Sequence, residues 1–146
     1  MIKAHVVGVD ALLRNFDRKK KEIEDALSEG CDEAAEYAME MIGDKFGRYQ
    51  PGWKQLKPET VRKKGSDEPL IDTADMMFSF EKKTSNRTRK HTVTITSDDP
   101  KLPYHMYGAP NANVPRRDPV RPTLKEEKEN CLKIIHDKVK EVLHRG

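Results

Sequence analysis

The chain has 146 residues, of which 35% are hydrophobic and 36% are charged, and its formal net charge is +3. This length favours a single domain over 1–146 with a modest apolar core. No apolar run approaches the roughly 18 residues that cross a bilayer, and the first ten residues lack the basic start and long apolar stretch of a secretory signal. Membrane and secreted classes are therefore disfavoured, and we expect a protein made in a cytoplasm.

The charge is distributed unevenly along the chain. Residues 1–44 contain 6 Lys/Arg and 11 Asp/Glu, whereas residues 45–121 contain 16 and 9. Between Glu22 and Asp44 there are nine acidic residues and no basic one. Such a run is ordinarily a solvated helix face, and the alternative is an acidic surface that docks on the basic middle of a neighbouring copy.

The N-terminal part predicts a strand followed by a long helical region. Residues 1–9 are rich in β-branched residues and predict a strand. Residues 10–46 repeat apolar side chains at steps of three and four, which predicts one amphipathic helix or two, broken near residues 18–21 or at Gly30. The run GRYQPGW ends this helix, so residues 47–77, which contain the single tryptophan Trp53, are expected to be irregular.

The C-terminal part predicts a hairpin, a loop and a helix. Residues 78–97 predict a β-hairpin with strands FSFEKKT and KHTVTITS and the connection SNRTRK. Six prolines from residue 100 to 122 predict a long extended loop over 98–121. Residues 122–145 predict a final amphipathic helix. The predicted class is α+β, with a long N-terminal helix and a C-terminal helix packed on a small antiparallel sheet.

The titratable residues form no recognisable catalytic or metal-binding pattern. Five histidines are scattered without a second ligand type at metal spacing, and no nucleotide-binding or hydrolase motif is present. Asp98 and Asp99 more simply form a turn before Pro100 than an acid/base pair or a magnesium site. Cys31 and Cys131 are expected to be thiols buried on helix faces, with a disulfide or a metal site as the alternative. We expect no enzymatic activity, no cofactor and no small-molecule substrate.

Basic side chains in the hairpin and the proline-rich loop point to a second class of function. Such a cluster could meet the phosphates of a nucleic acid, or an acidic protein partner. Aromatic residues are only 6% of the chain and are not interleaved with these charges, which argues against base stacking. The basic candidates are Lys82, Lys83, Arg87, Arg89, Lys90, Arg116, Arg117 and Arg121.

Two segments resemble the pattern of the phage virion morphogenesis and tail-completion families. In those families a Trp, a Leu, a Thr and a Lys lead to an L-I-D-T-G-x-L-x-x-S element, which is similar to GWKQLKPETVRKKGSDEPLIDTADMMFS here. Their second hallmark is a Tyr/His/Gly segment followed by a Pro-x-Arg-x-Pro-like stretch, which resembles YHMYGAPNANVPRRDPVRP. The matching residues are Trp53, Leu56, Thr60, Lys63, Leu70, Ile71, Asp72, Thr73 and Ser79 in the first segment, and Tyr104, His105, Gly108, Pro115, Arg117 and Pro119 in the second.

The chain departs from the family pattern at two places. Ala74 stands where the family has glycine and Met76 where it has leucine. We therefore expect either a turn without positive φ or a helix that begins at Asp72. Asp118 interrupts a doubled arginine motif, which leaves the path of the loop open.

The resemblance implies a non-enzymatic structural protein at the neck, or the head-proximal end of the tail, of a phage or prophage. It implies assembly as a ring through which DNA passes, partners among the other neck or tail proteins, and a place in the virion. Trp53 would then anchor a contact with the chain's own hairpin or with a neighbouring subunit, and the alternative is that it caps its own core. We also expect the loop that holds Arg117 and Arg121 to become ordered on assembly.

Overall fold

A computed structural model describes residues 9–87 and 90–145 and confirms the predicted α+β class. The predicted strand over 1–9 lies outside the described residues, except for residue 9, which is helical. The elements in chain order are helix α1 Val9–Gly43, helix α2 Pro58–Lys64, a 3₁₀ turn Met77–Ser79, strands β1 Phe80–Arg87 and β2 Lys90–Ser97, helix α3 Leu102–Tyr107, a 3₁₀ turn Pro110–Ala112 and helix α4 Arg121–His144.

Helix α1 is continuous over 35 residues, which is about 52 Å at the α-helical rise. The predicted break near residues 18–21 or at Gly30 is absent, because both places lie inside α1. Gly30 instead belongs to a stripe of small buried residues at every fourth position, Ala26, Gly30, Ala34 and Ala38. A Cβ atom at Gly30 would lie 3.0 Å from the Cα atom of Ile135 in α4. The glycine therefore allows two helix backbones to approach closely.

Helix α4 runs antiparallel to α1, and polar contacts join the two helices near both ends. The Tyr37 hydroxyl donates to Glu127 at 2.6 Å near the start of α4. At the other end, Lys19 Nζ donates to the carbonyl oxygens of Val142 and Arg145, at 2.7 and 2.6 Å. These bonds satisfy carbonyls that a helix C-terminus leaves without intrahelical partners, and they place a cation at the negative end of the helix dipole.

The two cysteines are free thiols on these facing helices, in agreement with the interpretation of the sequence. Cys31 and Cys131 are each partly buried, and burial raises the pKa of both thiols. Cys131 Sγ lies 3.7 Å from the carbonyl oxygen of Ala34, so it belongs to the packing of α4 against α1. A thiol with a raised pKa is a weak nucleophile, which suits a structural role.

The strands of the hairpin reach further into the predicted connection than expected, and the hairpin packs against α1. Its register runs from the pair Phe80–Ser97 to the pair Arg87–Lys90, so the strands include most of the predicted connection SNRTRK. Only residues 88 and 89 separate the strands, and these lie outside the described residues. Lys82 Nζ lies 2.6 Å from Glu36 of α1, which fixes the strand β1 beside the helix.

The apolar core lies at the C-terminal end of α1. Its buried members are Ile42, Phe46, Leu70, Met76 and Leu102, and partly buried side chains including Trp53, Phe80 and Val120 pack against it. The rings of Phe46 and Phe80 meet edge to face with their centroids 6.1 Å apart. Trp53 thus covers the chain's own core, which was one of the two alternatives for this side chain.

The segment 98–121 is not the extended loop that its prolines predicted. It contains α3 and a 3₁₀ turn, and Pro103 and Pro110 stand in the first positions of these elements. Pro58 and Pro122 likewise stand at the starts of α2 and α4. Proline suits the first turn of a helix because its backbone nitrogen needs no acceptor there and its φ is already helical. The prediction was wrong because it treated these prolines as markers of extended chain.

Candidate functional site: a basic groove

The two segments that carry the family resemblance meet at one groove of about 1160 Å³. We call this the motif groove; its walls come from residues 54–76 and 101–117. Side chains of the core lie beneath it, since Leu70 and Met76 belong both to its lining and to the core. The sequence-predicted residues that line it are Leu56, Thr60, Lys63, Leu70, Ile71, Asp72, Thr73, His105, Gly108, Pro115, Arg116 and Arg117.

Arg117 joins the two walls of the motif groove. The residue is only 4% exposed. Its Nε and Nη2 atoms donate to the carbonyl oxygen of Lys54 at 2.9 and 2.6 Å, and Nη2 also donates to that of Gln55 at 3.3 Å. The backbone N–H of Arg117 donates to the carbonyl of His105 at 2.8 Å. Burial lowers the pKa of the guanidinium from its ordinary value, although it remains charged because arginine does not deprotonate in proteins.

His105 stands beside Arg117 in the same wall. Burial lowers the pKa of its imidazole, and the positive charge of Arg117 lowers it further. Its Nδ1 atom is buried without a hydrogen-bond partner among the described residues. At neutral pH the ring is therefore uncharged and contributes a polar edge, not a positive charge, to the groove.

The glycine of the second segment is required by the path of the chain. Gly108 has φ of 76° and ψ of 157°, a region that only glycine occupies readily. A Cβ atom there would lie 3.3 Å from the backbone nitrogen of Arg116. This turn brings the chain back from α3, and Ala109 then forms an isolated β-bridge with Val114, which lines the groove as Arg116 does.

The turn of the first segment uses positive φ at two residues that are not glycine. Leu70 has φ of 66° and Ala74 has φ of 67°. The expectation of a turn without positive φ, or of a helix beginning at Asp72, is therefore wrong. The turn holds Leu70 and Met76 in the core, and the Thr73 hydroxyl donates to Asp75 at 2.6 Å. Tertiary packing of these two side chains outweighs the local cost of left-handed backbone.

Asp118, which interrupts the arginine motif, caps helix α4. Its Oδ1 atom accepts the backbone N–H groups of Val120 and Arg121 at 2.9 and 3.2 Å. Such a carboxylate satisfies donors that a helix N-terminus leaves unpaired. The Arg121 side chain is also held: it donates to Asp118 and to the carbonyl of Met106, and its guanidinium lies 4.5 Å above the ring of Tyr107. The loop around Arg117 and Arg121 is thus bonded in the single chain.

Four residues of the family pattern lie away from the motif groove. Trp53 covers the core, and Pro119 is fully buried at the start of α4. The Ser79 hydroxyl forms a hydrogen bond with the Ser97 hydroxyl, at the place where β1 begins and β2 ends. Tyr104 on α3 is 58% exposed. Three of the four therefore support the packing of the fold, and only Tyr104 presents a large free surface.

The predicted basic cluster does not form one surface. Lys82 is paired with Glu36 of the same chain, and Arg117 and Arg121 are bonded internally. Lys83, Arg87 and Lys90 are exposed in the strands, Arg116 lines the motif groove, and Arg89 lies outside the described residues. At Lys82 the acidic run of α1 thus meets the basic middle of its own chain.

Sequence reasoning missed several lysines of the motif groove. Lys54, Lys57, Lys64 and Lys101 also line it, so that the lining holds seven Lys/Arg and three Asp/Glu residues. No pattern marked these lysines, because they come from separate segments that only the folded chain brings together. The arrangement is suited to binding anionic groups such as carboxylates or phosphates.

Two further observations concern other kinds of chemistry. Within residues 9–87 and 90–145, no three His, Cys, Asp or Glu side chains are grouped so that they could hold a metal ion. No helix in the described part of the chain has the length and apolar character needed to span a membrane. Comparisons of the chain with protein-family models, with curated proteins and with solved structures gave no match.

Proposed function

We propose that the chain is a non-enzymatic structural protein of a phage or prophage virion. It acts at the neck or the head-proximal end of the tail, in tail completion or head-tail joining, and assembles as a ring. Its partners are further copies of itself and other neck or tail proteins, with DNA passing through the lumen. It is made in the cytoplasm of a bacterial host and resides in the virion.

The observation that carries this proposal is the convergence of the two resembling segments on the motif groove. Arg117 from the second segment donates to the carbonyl of Lys54 from the first, across 63 residues of sequence. Two short patterns that matched by chance would have no reason to meet in space. Direct hydrogen bonding between the two segments supports the interpretation that both belong to one family pattern.

The turn at Ala74 adds independent support. The family pattern has glycine at this position, and here the residue adopts φ of 67°, the conformation that glycine accepts most readily. An alanine held in that conformation indicates a turn whose backbone path is fixed by the surrounding packing. This is the backbone that a glycine-containing pattern would specify.

Light scattering coupled to size exclusion, over a range of protein concentration and salt, tests the proposal. We expect one discrete high-mass species, and negative-stain electron microscopy of that species should show closed rings. A mass that grows without limit would indicate a filament, because a heterologous contact that does not close is open-ended. A strict monomer under every condition would contradict ring assembly.

A DNA-binding accessory protein is the second candidate, and the exposed basic side chains of the hairpin favour it. Lys83, Arg87 and Lys90 are exposed, and no ion pair involves them within the described part of the chain. Fluorescence anisotropy with a labelled duplex separates the candidates. Tight binding by the monomer that is lost on replacing Lys83 and Lys90 with alanine would favour this second function.

A further inference from the structure

We infer that α1 and α4 pair with the same two helices of a second copy about a twofold axis, through an apolar patch on the side of the helix pair away from the hairpin. The patch consists of four large apolar side chains, Phe16, Leu27, Leu132 and Leu143. The two α1 helices lie antiparallel, so that Phe16 of each copy meets Leu27 of the other. A twofold contact joins two copies only, so this inference goes beyond the proposed ring and does not depend on it.

An ion pair marks one flank of the seam between α1 and α4. The two backbones approach at Gly30, where an added Cβ atom would lie 3.0 Å from the Cα atom of Ile135. Glu33 and Lys138 stand three residues after these two positions, and they form an ion pair at 2.8 Å. Side chains three residues before and three residues after a helix position lie about 60° to either side of it. The residues three positions before the seam therefore lie on the opposite flank, in both helices.

Leucines occupy both of those positions on the opposite flank, Leu27 in α1 and Leu132 in α4. Phe16 and Leu143 are each 11 residues away from the leucine of their own helix, which rotates them by only about 20° around the helix axis. The four side chains are between 41% and 62% exposed. They thus form one apolar patch that spans both helices.

The described part of the chain leaves this patch uncovered. The hairpin is fixed to α1 by Lys82, whose Nζ atom lies 2.6 Å from Glu36. Glu36 stands nine residues after Leu27, which is about two and a half turns, so the hairpin packs on the far side of the helix. Residues 14–18 of α1 are all exposed, so α4 does not cover Phe16 either. A helix pair in this position buries its apolar face only against a further layer.

The charges beside the patch favour a second copy as that layer. Lys20 lies about 20° and Glu24 about 60° around α1 from Leu27, on the side away from α4. Both are exposed, and neither forms an ion pair within the described residues. In two antiparallel copies of α1 centred near residue 22, Lys20 of each copy faces Glu24 of the other, and Phe16 comes beside Leu27. One arrangement therefore pairs both the charges and the apolar side chains.

The same charges distinguish this surface from one for lipid or nucleic acid. Anionic headgroups and phosphates attract surfaces with an excess of Lys/Arg. Beside the patch, the exposed carboxylates of Asp17 and Glu24 accompany Lys20 on α1, so the two signs are mixed. A mixed border around an apolar centre suits a protein surface.

Exchange of the two charges tests the contact in the full chain. Sedimentation equilibrium over a range of concentration should show wild-type chains reaching twice the chain mass of 16.8 kDa. Lys20→Glu and Glu24→Lys should each weaken association at least about tenfold, because two pairs of like charges then face each other across the axis. The double variant should associate as the wild-type chain does, since every exchanged charge again meets its opposite.

Lys21→Glu and Asp25→Lys form the matched control. These two residues are also four positions apart on α1 and exposed, but they lie about 120° and 160° around the helix from Leu27. Each change should leave association unaltered. Circular dichroism and thermal unfolding establish that all variants are folded.

Phe16→Ala tests the apolar part of the contact. It removes one large side chain from each copy, and it should weaken association at least about tenfold, as loss of a buried aromatic anchor does. Phe78→Ala is its control, because Phe78 is also exposed but lies in the 3₁₀ turn before β1. This control should associate as the wild-type chain does.

The outcomes separate this contact from the proposed ring. If rings form and Lys20→Glu, Glu24→Lys and Phe16→Ala all associate as wild type does, the twofold contact is wrong while ring assembly stands. If the double charge variant fails to recover although it is folded, the antiparallel pairing of α1 is wrong. A wild-type monomer at every concentration overturns the contact. In that case, a loss of thermal stability in Phe16→Ala would show that the patch is covered within its own chain, and binding to phosphatidylserine vesicles that Lys20→Glu abolishes would identify a lipid surface instead.

Discussion

Replacing Arg117 with methionine should destabilise the chain by removing the link between the walls of the motif groove. Methionine keeps much of the apolar stem and deletes the guanidinium. The change abolishes two hydrogen bonds to the carbonyl of Lys54, at 2.9 and 2.6 Å, and one to that of Gln55, at 3.3 Å. Segment 53–56 then loses its connection to the chain that leads into α4.

The size of the effect follows from the groups left unpaired. A buried acceptor without a donor costs about 1–3 kcal/mol, and two carbonyl oxygens lose their donors here. Part of this loss is offset because a charged guanidinium no longer has to be buried. Water also reaches part of segment 54–55, whose side chains are exposed. The expected decrease in the free energy of unfolding is therefore about 2–3 kcal/mol, a large share of the stability of a small domain.

Urea unfolding measures this decrease through two signals. Circular dichroism follows the helices, and the fluorescence of the single tryptophan, Trp53, follows the residue next to Lys54. Arg116→Met is the matched control, because Arg116 is exposed and should change stability by less than about 0.5 kcal/mol. Arg117→Lys should fall between the two, since lysine keeps the charge without the fork of donors. A stability for Arg117→Met as close to wild type as that of the control would refute this reasoning.

Two further predictions concern backbone strain and pH. Ala74→Gly should raise the free energy of unfolding by roughly 0.5–1 kcal/mol because it relieves left-handed backbone, whereas Ala112→Gly should lower it. Thermal unfolding of the two variants measures both changes. Equal losses of stability at both positions would contradict the backbone strain at Ala74. Because the pKa of His105 is lowered in the folded chain, the free energy of unfolding falls as the pH drops below about 6.5, the pKa of histidine in the unfolded chain. His105→Gln should flatten that slope in urea titrations, while His136→Gln, at an exposed site, should not.

The sequence predicted those features that depend on periodicity along the chain. The apolar repeat of α1 and α4 and the alternation in β2 identify the helices and the hairpin without tertiary information. The continuity of α1 was not predictable in the same way. A glycine inside a helix lowers helix stability and therefore predicts a break. Only the approach of Ile135 from α4 in the folded chain shows that Gly30 allows close packing of the two helices.

The candidate site was predictable only in part. The two segments were identified by their residue pattern, but their meeting at one groove depends on the tertiary path of the chain. The burial of Arg117 was not predictable, because arginine is rarely buried and no local signal shows that the carbonyl oxygens of residues 54 and 55 accept its hydrogen bonds. Positive φ at Ala74 was missed because alanine gives no sign of it, whereas glycine would have done so.

The stripe of small residues on α1 has a consequence for the order in which the chain folds. Its partner surface comes from α4, whose Cys131 lies 97 residues after Ala34. During synthesis from the N-terminus, α1 emerges from the ribosome long before the helix that covers it. Until then Ala26, Gly30 and Ala34 form a shallow, uncovered face, and closing such a long loop makes their pairing with α4 a late and slow event. Folding of this chain is therefore completed only after translation of α4, and a nascent chain stalled before residue 121 would expose that face to chaperones.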